Sequence, residues 1–220
     1  MARLSEPSPW AVARFGYAIA VALAELIPAA LHAAVGRQMD AQQASGLRTL
    51  YPFGGAWPAR YEELASHLRG VAGVRVVRPY KRSFEVVVAN NVVLLPFEYA
   101  KDLTTRLDDL RVLGGLNKLT VELLAQYGPE PSHHQPTLDG LADIADNVDN
   151  TNPDLLRGLT PDGVVIVFYA ADFRTGLLRV GWGEAAIGAG NSPVWTYTED
   201  LPLHPSGPFA QPALTAYDAD

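Results

Sequence analysis

The chain has 220 residues, 48% hydrophobic and 19% charged, which supplies one full hydrophobic core without demanding a second domain and excludes wholesale disorder. It contains no cysteine, which excludes disulfides, thiolate metal sites and a cysteine nucleophile and fits a reducing compartment. The net charge of −7 is polarised: residues 1–82 carry +5, residues 83–127 carry −2 and residues 128–220 carry −10, so the chain as a whole lacks the basic surface that non-specific nucleic-acid binding requires.

Residues 1–9 read as a loose start. A first helix is expected from about Pro9 to past Arg37, kinked or split at Pro28, which removes a backbone donor. The stretch Phe15 to Leu31 is almost uninterrupted apolar sequence, but Glu25 at mid-span is costly in lipid and also interrupts a signal-peptide core. On a helix Arg14, Glu25 and His32 share one narrow stripe, the pattern of a core helix with a single solvent-facing edge. The expectation is therefore a cytoplasmic protein without a membrane anchor. A second helix follows at Ala59 to Arg69, with Pro58 at its first turn and Tyr61, Leu64, Ala65 and Leu68 at helical spacing.

Three strands come next, Val74 to Tyr80, Phe84 to Ala89 and Val92 to Phe97, forming an antiparallel meander. Asn90 and Asn91 suit its two-residue turn because asparagine tolerates positive φ. The second and third strands are apolar on both faces, so both faces of the sheet should be covered. Lys101 to Tyr127 reads as mostly helical, broken near Gly114, with Leu116, Leu119, Leu123 and Leu124 as its apolar stripe and Gly128 as its stop. A further helix is expected after Thr137. Val164 to Tyr169 and Leu177 to Trp182 form a hairpin, and Val194 to Thr198 adds a short strand. The predicted fold is α+β: a mixed five- or six-stranded sheet with helices packed on it, in one domain over residues 1–200, followed by a Pro/Gly-rich acidic tail over 201–220.

The order helix, three strands, helix, strand over roughly residues 59–170 resembles the core of the restriction-endonuclease-like nucleases. That resemblance implies a divalent metal held between a carboxylate on the second strand and a Glu or Asp placed two residues before a Lys on the third. Glu85 is the candidate for the first position. Glu98 and Lys101 are the candidates for the others, but they stand three apart and beyond a third strand that carries no charge. Glu85, Glu98 and Lys101 are therefore weak catalytic candidates, and no metal or cofactor is expected.

Asp139, Asp143 and Asp146 share one helix face without a local Lys or Arg and lack the alternate-residue spacing of a calcium loop. They are candidates for binding a basic protein partner, in the manner of an immunity protein or antitoxin. Arg75, Arg78, Lys81 and Arg82 form a local basic group that would face an anionic partner such as DNA. His133 and His134 are adjacent and make a poor chelate. The glycines around Trp182 lack any phosphate-cradling arrangement and read as turns at a strand end. Three functions follow: a non-catalytic module for a protein partner, which is the favoured reading; a nuclease-like domain engaging DNA; or a small-molecule enzyme whose site is assembled from scattered residues.

Overall fold

A computed structural model describes residues 6–46, 56–107, 116–129, 155–172 and 174–203. The helix predicted after Thr137 and nearly all of the tail fall outside these residues. Among the described residues the chain forms four α-helices and one six-stranded mixed sheet, the α+β architecture expected from its sequence. The helices are α1 (Pro9–Phe15), α2 (Tyr17–Ser45), α3 (Ala56–Leu68) and α4 (Lys118–Tyr127). The strands are β1 (Val74–Val77), β2 (Val86–Ala89), β3 (Val92–Ala100), β4 (Gly163–Asp172), β5 (Gly176–Ile187) and β6 (Pro193–Asp200), and they lie side by side in chain order.

Every neighbouring pair is antiparallel except β3–β4, which runs parallel from Val92 opposite Gly163 to Ala100 opposite Ala170. Two antiparallel meanders are thus joined by one parallel seam, with α4 in the crossover between β3 and β4. A parallel connection needs such a crossover, since a tight turn cannot return the chain in the same direction. The Asn90–Asn91 turn has both residues at positive φ, 45° and 64°, as a two-residue hairpin demands.

The sheet is buried on both sides. Helices α1, α2 and α3 cover one face, where Val87, Leu94, Val165, Val167 and Trp182 belong to the larger core cluster. Helix α4 covers the other, where Leu119 and Leu123 meet Val88, Val93, Leu95 and Ile166. All of β2 is buried, as is the run from Val92 to Pro96, which is why these strands are apolar at every position rather than at alternate ones.

Several boundaries differ from the sequence expectation. The first helix breaks at Gly16, not at Pro28: Gly16 adopts φ 76°, its N–H closes α1 onto the Val12 carbonyl, and α2 then runs through a buried Pro28 to Ser45. Positive φ is cheap only for glycine, whereas proline in a long packed helix removes one hydrogen bond that tertiary burial can outweigh. Helix α3 begins at Ala56, so Pro58 is its third residue, where the backbone N–H would still lack an intrahelical partner. Strand β1 stops at Val77 and β2 starts at Val86, because Pro79 has no N–H to donate and Tyr80 instead donates to the Leu155 carbonyl.

Residues 101–107 are not helical. Strand β3 continues to Ala100, and Asp102 Oδ1 then accepts from the backbone N–H groups of Thr104 and Thr105, at 2.8 Å each, holding a turn instead of a helix start. Gly181 and Gly183 are not turn residues but lie inside β5. A Cβ on Gly181 would strike the Phe168 ring and the Glu199 carbonyl, and one on Gly183 would strike the Tyr197 carbonyl. These glycines let β6 and an aromatic ring approach the strand closely.

The N-terminal helix is anchored on the last two strands by two carboxylates. Glu199 Oε2 accepts from Ser8 Oγ at 2.6 Å, from Trp182 Nε1 at 2.9 Å and from Tyr197 Oη at 3.1 Å. Glu184 pairs with Arg14 and accepts from Trp10 Nε1 at 3.4 Å. Trp10 also stacks on Tyr197, ring centroids 4.3 Å apart.

Gly181→Ala should destabilise the fold by about 1–3 kcal/mol, the usual range for overpacking a rigid core site. Urea unfolding followed by tryptophan fluorescence would show this as a lowered midpoint at unchanged slope.

Candidate functional site

The parallel seam ends in a polar cluster. Alternation along β3 puts Glu98 on the same face as Leu94, and the parallel register sets Glu98 directly beside Tyr169 of β4. Helix α3 lies over this face and supplies Arg60, whose Nη1 donates to Tyr169 Oη at 3.3 Å. Lys101, one residue past the end of β3, is exposed and close enough to act on the Glu98 carboxylate. Tyr169 is fully buried, while Arg60 and Glu98 are half-buried.

The electrostatics of the cluster follow from this burial. Desolvation raises the Glu98 carboxyl above the ordinary carboxylate range, against the opposing pull of Arg60, Lys101 and the Tyr169 hydroxyl. Burial pushes the Tyr169 phenol up to about 12, with Arg60 opposing and the Glu98 charge adding to the rise. The neighbouring Tyr61 phenol is also raised by burial. Arg60 Nε is buried and has no hydrogen-bond partner among the described residues. The arrangement therefore combines an uncharged phenol donor, a carboxyl that holds its proton longer than usual, a guanidinium with hydrogen-bonding capacity left over and an exposed ammonium on the rim. Such a set can bind an anionic group and deliver a proton to it. It stands at the carboxyl ends of the two parallel strands, where open α/β sheets commonly bind ligands.

Of the residues singled out from sequence, Glu98 and Lys101 come together here. Glu85 does not join them: it precedes β2 and is held by Arg69 Nη2 at 2.6 Å. The third strand does carry a charge, contrary to expectation, because β3 extends three residues past Phe97 and takes in Glu98. Lys101 remains outside the strand, so the Glu–x–Lys alignment of the nuclease set is not formed. Among the described residues, no three His, Asp or Glu side chains gather into a group that could hold a metal ion.

The basic group is divided rather than concentrated. Arg75 is exposed on edge strand β1 and donates to Asn91 Oδ1 at 3.2 Å, Arg78 and Lys81 lie in the loop after it, and Arg82 reaches Glu122 of α4 at 3.3 Å. Asp139, Asp143, Asp146, His133 and His134 lie outside the described residues. Arg60 and Tyr169 were not legible as site residues, since one reads as a solvated helix position and the other as part of a buried strand. The available signal was a phenol and a carboxylate, each near the end of an otherwise apolar strand.

Comparison of the chain with protein-family models, with curated proteins and with solved structures finds no match.

Because folding raises the Glu98 pKa, the folded chain holds this proton more tightly than the unfolded one. The associated stability is fully present below the ordinary glutamate range near pH 4.3 and is lost as pH rises through the folded value. Glu98→Gln should accordingly match the parent in thermal midpoint at acid pH and exceed it at neutral pH, measured by calorimetry across that window.

Proposed function

We propose that this chain binds a small anionic molecule at the end of the β3–β4 seam, with Arg60 and Lys101 holding the anion, the Tyr169 hydroxyl donating a hydrogen bond to it and the Glu98 carboxyl donating a second once ligand binding has protonated it. The observation that carries this reading is the juxtaposition of Glu98 and Tyr169 under Arg60, in a half-buried position where desolvation raises the carboxyl above the ordinary carboxylate range. A carboxyl shifted in this direction takes up a proton more readily beside an anion, and once protonated it is a hydrogen-bond donor and a proton source, either of which suits a carboxylate or phosphate ligand. An anion bound beside Glu98 favours the protonated carboxyl further. Affinity therefore falls as pH rises through the Glu98 pKa, and binding takes up a proton.

A thermal-shift panel of simple dicarboxylates, phosphomonoesters and inorganic phosphate, followed by calorimetric titration of any hit, tests the reading. Arg60→Lys should weaken a true ligand about tenfold or more, the loss of a charge-assisted hydrogen bond of about 1.5–3 kcal/mol, and Glu98→Gln should abolish the fall of affinity with rising pH. A panel without a hit, or a ligand indifferent to both substitutions, would sink it.

A second reading, a module for a basic protein partner, is favoured by one feature of the sequence: residues 119–156 carry seven carboxylates, Asp139, Asp143 and Asp146 among them, and no Lys or Arg. Although Glu122 is paired with Arg82, an acidic excess of this kind steers association with a basic surface. On this reading, changing Asp139, Asp143 and Asp146 together to Asn abolishes capture of the partner in affinity purification from the native host, and a partner retained by the triple variant counts against it.

A further inference from the structure

One side of helix α2 is exposed or half-buried. Its buried residues, Leu23, Ile27, Ala30, Leu31, Ala34 and Val35 among them, face α3 and the sheet. At 100° per residue the opposite side carries Ala18, Val21, Ala22, Ala29, Ala33 and Gly36, all exposed or half-buried, and less than half of the most apolar stretch of this helix is buried. Two polar side chains stand on this apolar side, Glu25 and His32, both exposed. Arg14, expected on the same stripe, lies on α1 before the Gly16 break and is held by Glu184 within its own chain. Neither Glu25 nor His32 has an ion-pair or hydrogen-bond partner among the described residues.

The positions of these two groups are self-complementary. Glu25 stands about 6 Å along the axis on one side of Ala29, and His32 about 4.5 Å on the other, from the rise of 1.5 Å per residue. Two copies of α2 crossing antiparallel at Ala29 bring Glu25 of each copy against His32 of the other. Both contacts form at once, because an isologous interface repeats every contact about its twofold axis. Between Glu25 and His32 the exposed side of the crossing carries only the small side chain of Ala29, with Ala22 and Ala33 beyond, so the helix axes can approach closely within the usual 8–10 Å packing distance. A parallel pairing would set Glu25 against Glu25 instead.

We propose that this face docks a second copy of the chain, with two α2 helices crossing antiparallel at Ala29 and two reciprocal Glu25–His32 contacts fixing the register. The interface is one helix face wide, at the small end of specific interfaces, so self-association is expected to be weak and concentration-dependent. The proposal rests on α2 alone and is independent of the ligand site at the β3–β4 seam.

Sedimentation velocity of the full chain across micromolar concentrations, near neutral pH, is the test. The parent chain should show a monomer–dimer equilibrium. Glu25→Lys and His32→Glu should each raise the dissociation constant about tenfold or more, since each sets like charges or a lost pair at two symmetric contacts. Combining Glu25→Lys with His32→Glu should restore association to near the parent value. Both sites are exposed, and circular dichroism with thermal midpoints verifies that every variant is folded. A parent chain that stays monomeric, a dimer indifferent to Glu25→Lys, or a double variant that fails to regain association overturns the proposal. So does a monomer that sediments with phosphatidylglycerol vesicles, which would assign the same apolar face to a lipid surface.

Discussion

The parallel pairing of β3 with β4 is the constraint on which the rest of this structure depends. On one side of it lies the meander β1–β2–β3 and on the other the meander β4–β5–β6, and without the seam these are two small sheets, each with an exposed apolar edge. Parallel strands cannot be joined by a tight turn, so the chain must leave the sheet between Ala100 and Gly163 and return along a crossover that includes α4. The crossover covers one face with Leu119 and Leu123, while α1, α2 and α3 cover the other. The same seam ends by setting Glu98 beside Tyr169, so the architecture and the candidate site have one cause.

The polarised charge of the chain is partly resolved within the fold. A basic residue from the N-terminal part meets an acidic residue from the C-terminal part where Arg14 pairs with Glu184, and the Glu199 carboxylate is met by the neutral donors Ser8 and Trp182. Within the later part, Arg179 makes a two-pronged contact with Asp200, at 2.9 and 3.2 Å, while its guanidinium lies over the Tyr99 and Phe168 rings. Glu199 is the more informative case. Three donors converge on one oxygen of a single carboxylate, and charge-assisted bonds of this kind are stronger than neutral ones. They hold α1 on β5 and β6.

Much of the fold was legible because it rests on local or periodic chemistry. The unbroken apolar runs of β2, β3 and β4 announce a doubly covered sheet, the Asn90–Asn91 pair announces its hairpin, and the Leu116–Leu119–Leu123–Leu124 spacing announces α4. The errors share a physical form. Pro28 lies inside a helix whose burial outweighs one lost hydrogen bond, and the break falls at Gly16, where positive φ is accessible. Gly181 and Gly183 look like turn residues, yet they serve a close approach between strands that no local pattern can reveal. Residues 101–107 carry a helical spacing that a short Asp102 turn overrides.

The candidate site was legible in part. Glu98 and Lys101 were visible as charges near a strand end, but Glu85 was drawn to Arg69, and the residues that give Glu98 its character, Arg60 and Tyr169, stand 38 positions before it and 71 after it. Composition, strand character, the hairpin and the uneven charge are properties of short stretches, so the sequence by itself determined them. The choice of a parallel seam, the length of β3, the environment of Glu98 and the exposed side of α2 are properties of elements brought together across the chain. Only the tertiary structure decided these, because desolvation and pairing depend on neighbours that sequence order does not specify.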